Sequence, residues 1–289
     1  MSLLERAPAP PPAGTGPGLA ARAARRRSPW RGAAVTVVVV VTLLPMVPVV
    51  LWAVAGAWRY PDLLPPDLST RGLRLLTSDG VLGALGTSVL VSTSVATLAC
   101  LVGLPAGRAL GLHRFRGRRA VQFLLLAPII VPPLAVTLGL QVFFVRYGLS
   151  DTITGVVLVQ LVPTVPYAAS LLAAAHADLD VDHEKAARVL GAGPVQTLVH
   201  VTLPLLRPAL VTAFLLSFLI SWSEYVLTLL VGGGRVTTLP LLLFSAIESS
   251  DRTAAAALGL LVVLPPVLLV LALTRVAGRD VAWMGVSRA

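Results

Sequence analysis

The sequence predicts an all-α protein that crosses a membrane with six helices. Apolar residues make up 56% of its 289 residues, charged residues make up only 12%, and the mean hydropathy is +0.86. A soluble chain of this length carries about 25% charged residues, because its surface must be hydrated. Most of this chain is therefore expected to face lipid, where a helix satisfies every backbone hydrogen bond within its own segment.

Six long stretches carry between them a single charged residue, Glu224. Each exceeds the length of about 20 residues that a helix needs to cross a bilayer. They comprise residues 33–57, 80–107, 120–145, 152–175, 208–234 and 253–274. A shorter apolar stretch, 236–247, is expected to form a half-inserted or surface helix. Prolines are expected to interrupt the third, fourth and sixth helices, at Pro128, Pro132, Pro133, Pro163, Pro166, Pro265 and Pro266.

The basic residues predict the orientation of the six helices. Residues 1–32, 108–119, 176–207 and 275–289 hold 17 of the 23 basic residues, and the opposite loops hold 6. The positive-inside rule then places both termini in the cytoplasm. Residues 1–32 read as a disordered basic tail, 33–276 as the transmembrane domain and 277–289 as a second cytoplasmic tail. The single cysteine, Cys100, excludes an intramolecular disulfide.

The longest cytoplasmic loop, residues 178–208, is the most informative segment. An amphipathic helix is expected over 182–190, because acidic residues favour a helix N-terminus. Gly191 is the expected stop, and Pro194 suits the first turn of a second short helix. Two helices joined by a glycine-rich elbow would form a compact docking element.

This loop resembles the EAA signature of permease subunits of binding-protein-dependent ABC importers. The signature reads Glu-Ala-Ala, three residues, Gly, nine residues, Ile, one residue and Leu-Pro. The matching positions here are Lys185, Ala186, Ala187, Gly191, Val201, Leu203 and Pro204. The family's Glu is replaced by Lys185, with Glu184 one step earlier, so either Glu184 substitutes for it in the ATPase contact or the pairing differs.

The resemblance implies a permease of the bacterial inner membrane that works with several partners. The loop would seat in a groove of a cytoplasmic ATPase subunit, a second permease subunit would complete the pathway, and an extracytoplasmic binding protein would deliver the solute. The chain carries no GxxxxGK[ST] phosphate loop. We therefore expect ATP hydrolysis in a separate subunit, no enzyme activity in this chain and no cofactor.

Glu224 is the candidate residue of the solute pathway. A carboxylate within a membrane is costly and usually has a partner or faces water. It would either attract a cationic solute, such as a polyamine or an iron complex, or form a structural hydrogen bond. Segment 214–243 also resembles, more loosely, the polyamine, iron, phosphonate and thiamine subgroup of these permeases.

Two other classes of membrane protein compete with the permease. An ion-coupled secondary transporter would typically show more intramembrane polar residues and an internal repeat, and an intramembrane enzyme would need catalytic residues that do not stand out. The four histidines, His113, His176, His183 and His200, lack close ligand spacing, so no metal site is expected. The basic residues of 114–119 suit anionic lipid headgroups better than nucleic acid.

Overall fold

The computed structural model describes residues 36–38, 40, 41, 43–56, 58, 62, 64–131 and 133–283. The tail predicted over 1–32 lies outside them, as do the last six residues. The regular secondary structure within these ranges is helical, and the one strand-like pairing there is an isolated bridge between Ala55 and Leu68. The all-α prediction is confirmed. The described residues up to Val47 belong to one compact unit, and those from Pro48 onward belong to a second.

Twelve helices are named here in chain order. They are α1 (Met46–Val54), α2 (Arg71–Leu76), α3 (Asp79–Leu112), α4 (Arg118–Ile130), α5 (Pro133–Arg146), α6 (Ile153–Ala177), α7 (Asp182–Val189), α8 (Pro194–Leu205), α9 (Arg207–Trp222), α10 (Val226–Gly232), α11 (Leu239–Glu248) and α12 (Arg252–Trp283). Within the described part of the chain, three helices are long and apolar enough to cross a membrane: α3, α6 and α12. A fourth span is possible if α8 and α9, which meet at 74°, are taken together.

Two of the expected continuous helices are broken. The stretch 120–145 divides into α4 and α5 at Val131, which is extended, because the residue before a proline is disfavoured in the helical region. The stretch 208–234 divides into α9 and α10 around Glu224. The prediction of one helix for each of these stretches is therefore wrong.

The expected interruptions of the fourth and sixth helices are also wrong. Helix α6 runs through Pro163 and Pro166, and α12 runs through Pro265 and Pro266. A proline removes one backbone donor, and neighbouring helices can satisfy the carbonyl that it frees.

Helices α3 and α6 form the most extensive contact among the described helices, and α9 packs against both. Their backbones approach closely because α3 presents small residues. A Cβ added to Gly107 would lie 2.8 Å from the Cβ of Leu172, and one added to Gly111 would lie 2.8 Å from that of His176. Ser88, Ser92 and Ala96 are buried further along α3. Small residues at helix interfaces let backbones approach closely in membranes, and this face of α3 serves such packing.

The short apolar stretch 236–247 forms α11, which packs among longer helices. Leu239 and Ala246 join a buried cluster with Phe218 and Trp222 of α9 and Leu258 of α12. The indole N–H of Trp222 donates to the carbonyl of Val262 at 2.9 Å. Helix α11 thus packs one face against the bundle, and its expected half-insertion into the membrane stays a prediction.

Candidate coupling and pathway sites

Helix α7 opens the candidate coupling segment, residues 178–208. Asp182 and Glu184 lie in its first turn and Arg188 in its last, which suits the helix dipole. Gly191 adopts φ +88°, and its N–H donates to the carbonyl of Arg188 at 3.0 Å. The N–H of Ala192 donates to the carbonyl of Ala187 at 3.0 Å. These two bonds form a Schellman motif, so Gly191 ends the helix as its position indicates.

Helix α8 begins where the sequence places it. Pro194 occupies its first turn, and the side chain of Gln196 accepts a hydrogen bond from the N–H of Gly193 at 3.0 Å. Residues Leu198–Thr202 form a π-helical turn immediately before Leu203 and Pro204. The wider turn precedes a proline whose ring crowds the preceding helical turn.

Glu184 is buried and tied to two other elements. Its side chain is 4% exposed, and its carboxylate accepts bonds from Arg108 Nη1 at 2.7 Å and Nη2 at 2.5 Å. Thr202 Oγ1 also donates to it at 2.7 Å. The Arg108 guanidinium, followed by the Thr202 hydroxyl, holds the pKa of this carboxyl at about 2, against the opposing effect of its burial. We call Glu184, Arg108 and Thr202 the Glu184 cluster.

Lys185, which stands at the family's Glu position, points away from the Glu184 cluster. Its side chain is 70% exposed, and its Nζ lies 2.8 Å from Asp182 Oδ1. This hydrogen bond raises the pKa of Lys185 and lowers the pKa of Asp182. Ala186 is exposed and Ala187 is half-buried. The carboxylate and the ammonium thus occupy different faces of α7, and only the ammonium is available to a partner.

Exposed apolar side chains surround the elbow between α7 and α8. Val189 and Leu190 are each 87% exposed, and Val195 is 70% exposed. We call these three residues the apolar tip. Val201 and Leu203 are half-buried and Pro204 is exposed. Large apolar side chains projecting beside charged ones are typical of a surface that binds another protein.

Glu224 lies at the break between α9 and α10, not within a continuous helix. It is half-buried, and its Oε1 accepts a hydrogen bond from the N–H of Leu227 at 2.9 Å. The Ser223 hydroxyl contacts the carbonyls of Leu219 and Ile220 at 3.0 and 3.2 Å. The Glu224 carboxylate thereby satisfies a backbone N–H in the first turn of α10, where no preceding helical turn can accept it.

A buried polar network that the sequence analysis missed holds the two sides of the break. Gln160 of α6 is 1% exposed; its Nε2 donates to Thr228 Oγ1 at 2.9 Å, and its Oε1 accepts from Ser221 Oγ at 2.5 Å. Ser221 belongs to α9 and Thr228 to α10, so one amide joins three helices. The available signal was that Gln160 is the only amide side chain in the charge-free stretch 152–175.

The coupling segment and Glu224 form two separate sites. The first contains Glu184, Lys185, Ala186, Ala187, Gly191, Val201, Leu203 and Pro204 on α7, α8 and their elbow. Arg108 and Thr202 were not anticipated, although Arg108 directly follows the charge-free stretch 80–107.

Comparisons with known proteins match most of the chain. A family model described as "Binding-protein-dependent transport system inner membrane component" covers residues 103–283. The putrescine transport system permease protein PotI of Escherichia coli is 28% identical over 249 residues, which cover 82% of this chain and 86% of PotI. The molybdenum transport system permease protein ModB of Mycobacterium tuberculosis is 35% identical over 214 residues, which cover 68% of this chain and 80% of ModB.

A solved structure shares the fold. It is the crystal structure of a bacterial ABC transporter involved in the import of the acidic polysaccharide alginate, and it matches with a TM-score of 0.65 at 18% sequence identity. The match covers 87% of this chain and 98% of the other. At this identity the likeness concerns the arrangement of helices alone.

Proposed function

Because this chain belongs to the family of inner membrane components of binding-protein-dependent transport systems, and is a permease subunit of an ABC importer, we propose that residues 178–208 dock it onto a cytoplasmic ATPase. Docking would couple ATP hydrolysis in that subunit to solute uptake through the helices of this one. The permease function itself rests on the family; the assignment of the coupling segment rests on the geometry of α7, its elbow and α8.

The observation that carries the docking proposal is the apolar tip. Val189, Leu190 and Val195 leave most of their surface uncovered in a segment whose anchoring residue, Glu184, is buried. Removing apolar surface from water is the main favourable contribution to most protein–protein association. A segment that is anchored on one side and apolar on the other is suited to fit such a groove.

We further propose how this permease crosses the membrane and which subunits it works with. Helices α3, α6 and α12 each cross the membrane once. The broken stretches 120–145 and 208–234 each add one crossing, and residues 33–57 add the sixth. Both termini then lie in the cytoplasm. A second permease subunit, identical or homologous, would complete the pathway, and an extracytoplasmic binding protein would load it. The relatives are named as transport permeases, and we assign ATP hydrolysis to separate subunits.

Capture of the ATPase tests the docking proposal. The purified chain is mixed with the ATPase subunit of its own importer, and the amount retained is compared between wild type and Leu190→Glu. We expect the substitution to lower capture by at least about tenfold, since a charge replaces an apolar side chain at the centre of the contact.

The matched control is Leu64→Glu, which places the same charge on another exposed leucine, 68% exposed. It lies in a loop that we assign to the opposite side of the membrane, and it should leave capture unchanged. Equal capture by wild type and Leu190→Glu would show that the apolar tip is not the docking surface.

For the solute, we propose that Glu224 lies on the pathway and favours a cation. One of its oxygens is engaged by the N–H of Leu227, and the carboxylate remains half-exposed at a helix break. Broken helices in transporters commonly line solute sites. The relatives' names include both putrescine, a cation, and molybdenum, so family membership alone leaves the solute open.

A further inference from the structure

The Glu184 cluster connects the coupling segment to the membrane helices. Arg108 belongs to α3, Glu184 to α7 and Thr202 to α8. The carboxylate carried by α7 therefore contacts the other short helix of the coupling segment, α8, and the end of a long membrane helix, α3. Helix α3 in turn packs along α6 through Gly103, Gly107 and Gly111.

We propose that the Glu184 cluster is the rigid joint through which movement of the coupling segment reaches α3 and α6. This inference rests on the proposed docking of that segment to an ATPase. In it, Glu184 positions the docking surface and does not itself touch the ATPase. Lys185, one residue later and exposed, faces the ATPase instead.

Burial and geometry support a rigid joint over a simple surface ion pair. The Arg108 guanidinium binds both oxygens of Glu184 in a bidentate fork, at 2.7 and 2.5 Å, and Thr202 adds a third bond. A bidentate pair fixes orientation as well as distance. By contrast, the exposed Lys185–Asp182 pair of the same helix has a single contact at 2.8 Å, and such surface pairs constrain little.

The cluster also determines which of the two residues, Glu184 or Lys185, is exposed at the departure from the family signature. If the residue at the signature's Glu position faces the ATPase, this permease presents a cation there. We then expect the facing residue of its ATPase to be acidic or neutral. The carboxylate at Glu184 is not available as a substitute, because its side chain is 4% exposed and has three donors.

The first experiment measures coupling separately from docking. Glu184→Gln is placed in the assembled importer, and ATP hydrolysis is measured with and without the importer's own binding protein. We expect capture of the ATPase to persist, because the apolar tip is intact, while stimulation by the binding protein is lost. Unchanged stimulation would overturn the joint. If the wild-type chain itself fails to capture the ATPase, that result would instead count against the proposed docking.

Asp251→Asn is the matched control for Glu184→Gln. Asp251 also forms a two-bond pair with an arginine, Arg71, but that pair is exposed and distant from the coupling segment. Removing its charge should leave stimulation intact. The charge exchange Arg108→Glu with Glu184→Arg should restore part of the stimulation, because it rebuilds an ion pair across the same contact.

A distance measurement tests the joint with its three residues unchanged, so it applies even if Glu184→Gln fails to fold. Spin labels are attached at His113→Cys, just beyond α3, and at His183→Cys, on α7, in a Cys100→Ala background. Both histidines are exposed. We expect the same label-to-label distance with and without ATP. A shift larger than about 5 Å, one helical turn, would mean that α7 moves independently of α3 and would overturn the proposal.

Discussion

At the scale of single residues, the Glu184 carboxylate is defined by its donors. Three hydrogen bonds from Arg108 and Thr202 outweigh the effect of burial, and its pKa falls to about 2. Because the folded pKa lies below the ordinary value of 4.5, ionised Glu184 stabilises the folded chain above that value. The contribution is lost as pH falls towards 2.

We therefore predict a pH-dependent stability difference between wild type and Glu184→Gln. At pH 7 the variant should be less stable by about 1.5–3 kcal/mol, the typical value of hydrogen bonds to a charged group. The difference should stay constant from pH 7 to 5 and shrink from about pH 4.5 downward. Arg108 and Arg188, the cations near Glu184, keep their charge in this range. Thermal unfolding in detergent at each pH measures this difference, with Glu248→Gln, at an exposed carboxylate, as the control.

His176 is the other titratable group near the Glu184 cluster. It is buried, and its Nδ1 lies 2.7 Å from the carbonyl of Leu172. It is present in both wild type and Glu184→Gln, so comparing the two largely cancels its titration. A difference that shrinks already between pH 7 and 5 would contradict the assignment to Glu184.

Gly191 is required for its backbone conformation and not for space. It has φ +88°, yet nothing lies within 4 Å of where a Cβ would be. We predict that Gly191→Val, which pays about 1–2 kcal/mol for a left-handed conformation, leaves the protein inserted but uncouples ATP hydrolysis from uptake. Gly191→Asn should retain most coupling, because asparagine tolerates this conformation. Equal behaviour of both variants in a coupled uptake assay would be inconsistent with the cap.

Glu224 allows its charge to be removed without removing its hydrogen bond. In the wild type, the N–H of Leu227 lies 2.9 Å from Glu224 Oε1. The side-chain oxygen of Glu224→Gln can accept the same hydrogen bond. We predict that the variant assembles normally and, if the solute is the proposed cation, loses its uptake by about tenfold or more, since a charge acts strongly in a medium of low dielectric constant. Unchanged uptake of a transported cation would exclude a pathway role, and loss of assembly would indicate a structural one.

At the scale of elements, close packing of α3 on α6 depends on glycine. A Cβ at Gly107 would lie 2.8 Å from Leu172 Cβ and 2.9 Å from the backbone nitrogen of Ala173, whereas one at Gly83 would meet nothing within 4 Å. We predict that Gly107→Ala destabilises the chain by about 1–3 kcal/mol through overpacking. Gly83→Ala on the same helix should be neutral or stabilising, because alanine favours helices. Equal unfolding temperatures for the two variants would refute this packing.

The sequence predicted the long helices better than their breaks. Charge-free length located α3, α6 and α12, because lipid selects apolar helices of about 20 residues. The break at Ser223–Glu224 carries no proline, and it depends on side chains from another helix, such as Gln160, which satisfy the polar groups around it. Such long-range pairing leaves no local pattern. Conversely, the prolines of α6 and α12 predicted breaks, but both helices continue through them.

The coupling segment was more predictable than its anchoring. The Gly191 stop and the Pro194 start follow from local backbone chemistry, and both are confirmed. The bond between Arg108 and Glu184 joins residues 76 positions apart, so spacing along the chain could not indicate it. For the same reason the sequence left open whether Glu184 or Lys185 faces outward, which their burial now distinguishes.

At the scale of the whole molecule, the coupling segment and Glu224 lie apart along one helical assembly. The coupling segment lies at the end of α3 and α6 where Arg108 and His176 are found, and Glu224 lies beyond α9. Helices α3, α6 and α9 pack together between them. In our proposal this shared core carries movement from the ATPase to the pathway, while the binding protein acts on the far side.

The most direct test of the central claim is the energy source of uptake. Proteoliposomes containing the chain alone, or the chain assembled with its ATPase, partner permease and binding protein, are supplied with the solute that saturates that binding protein. We predict uptake only by the assembly and only with ATP, and its loss in the Leu190→Glu variant. Uptake by the chain alone, driven by a proton or sodium gradient without ATP, would contradict the account.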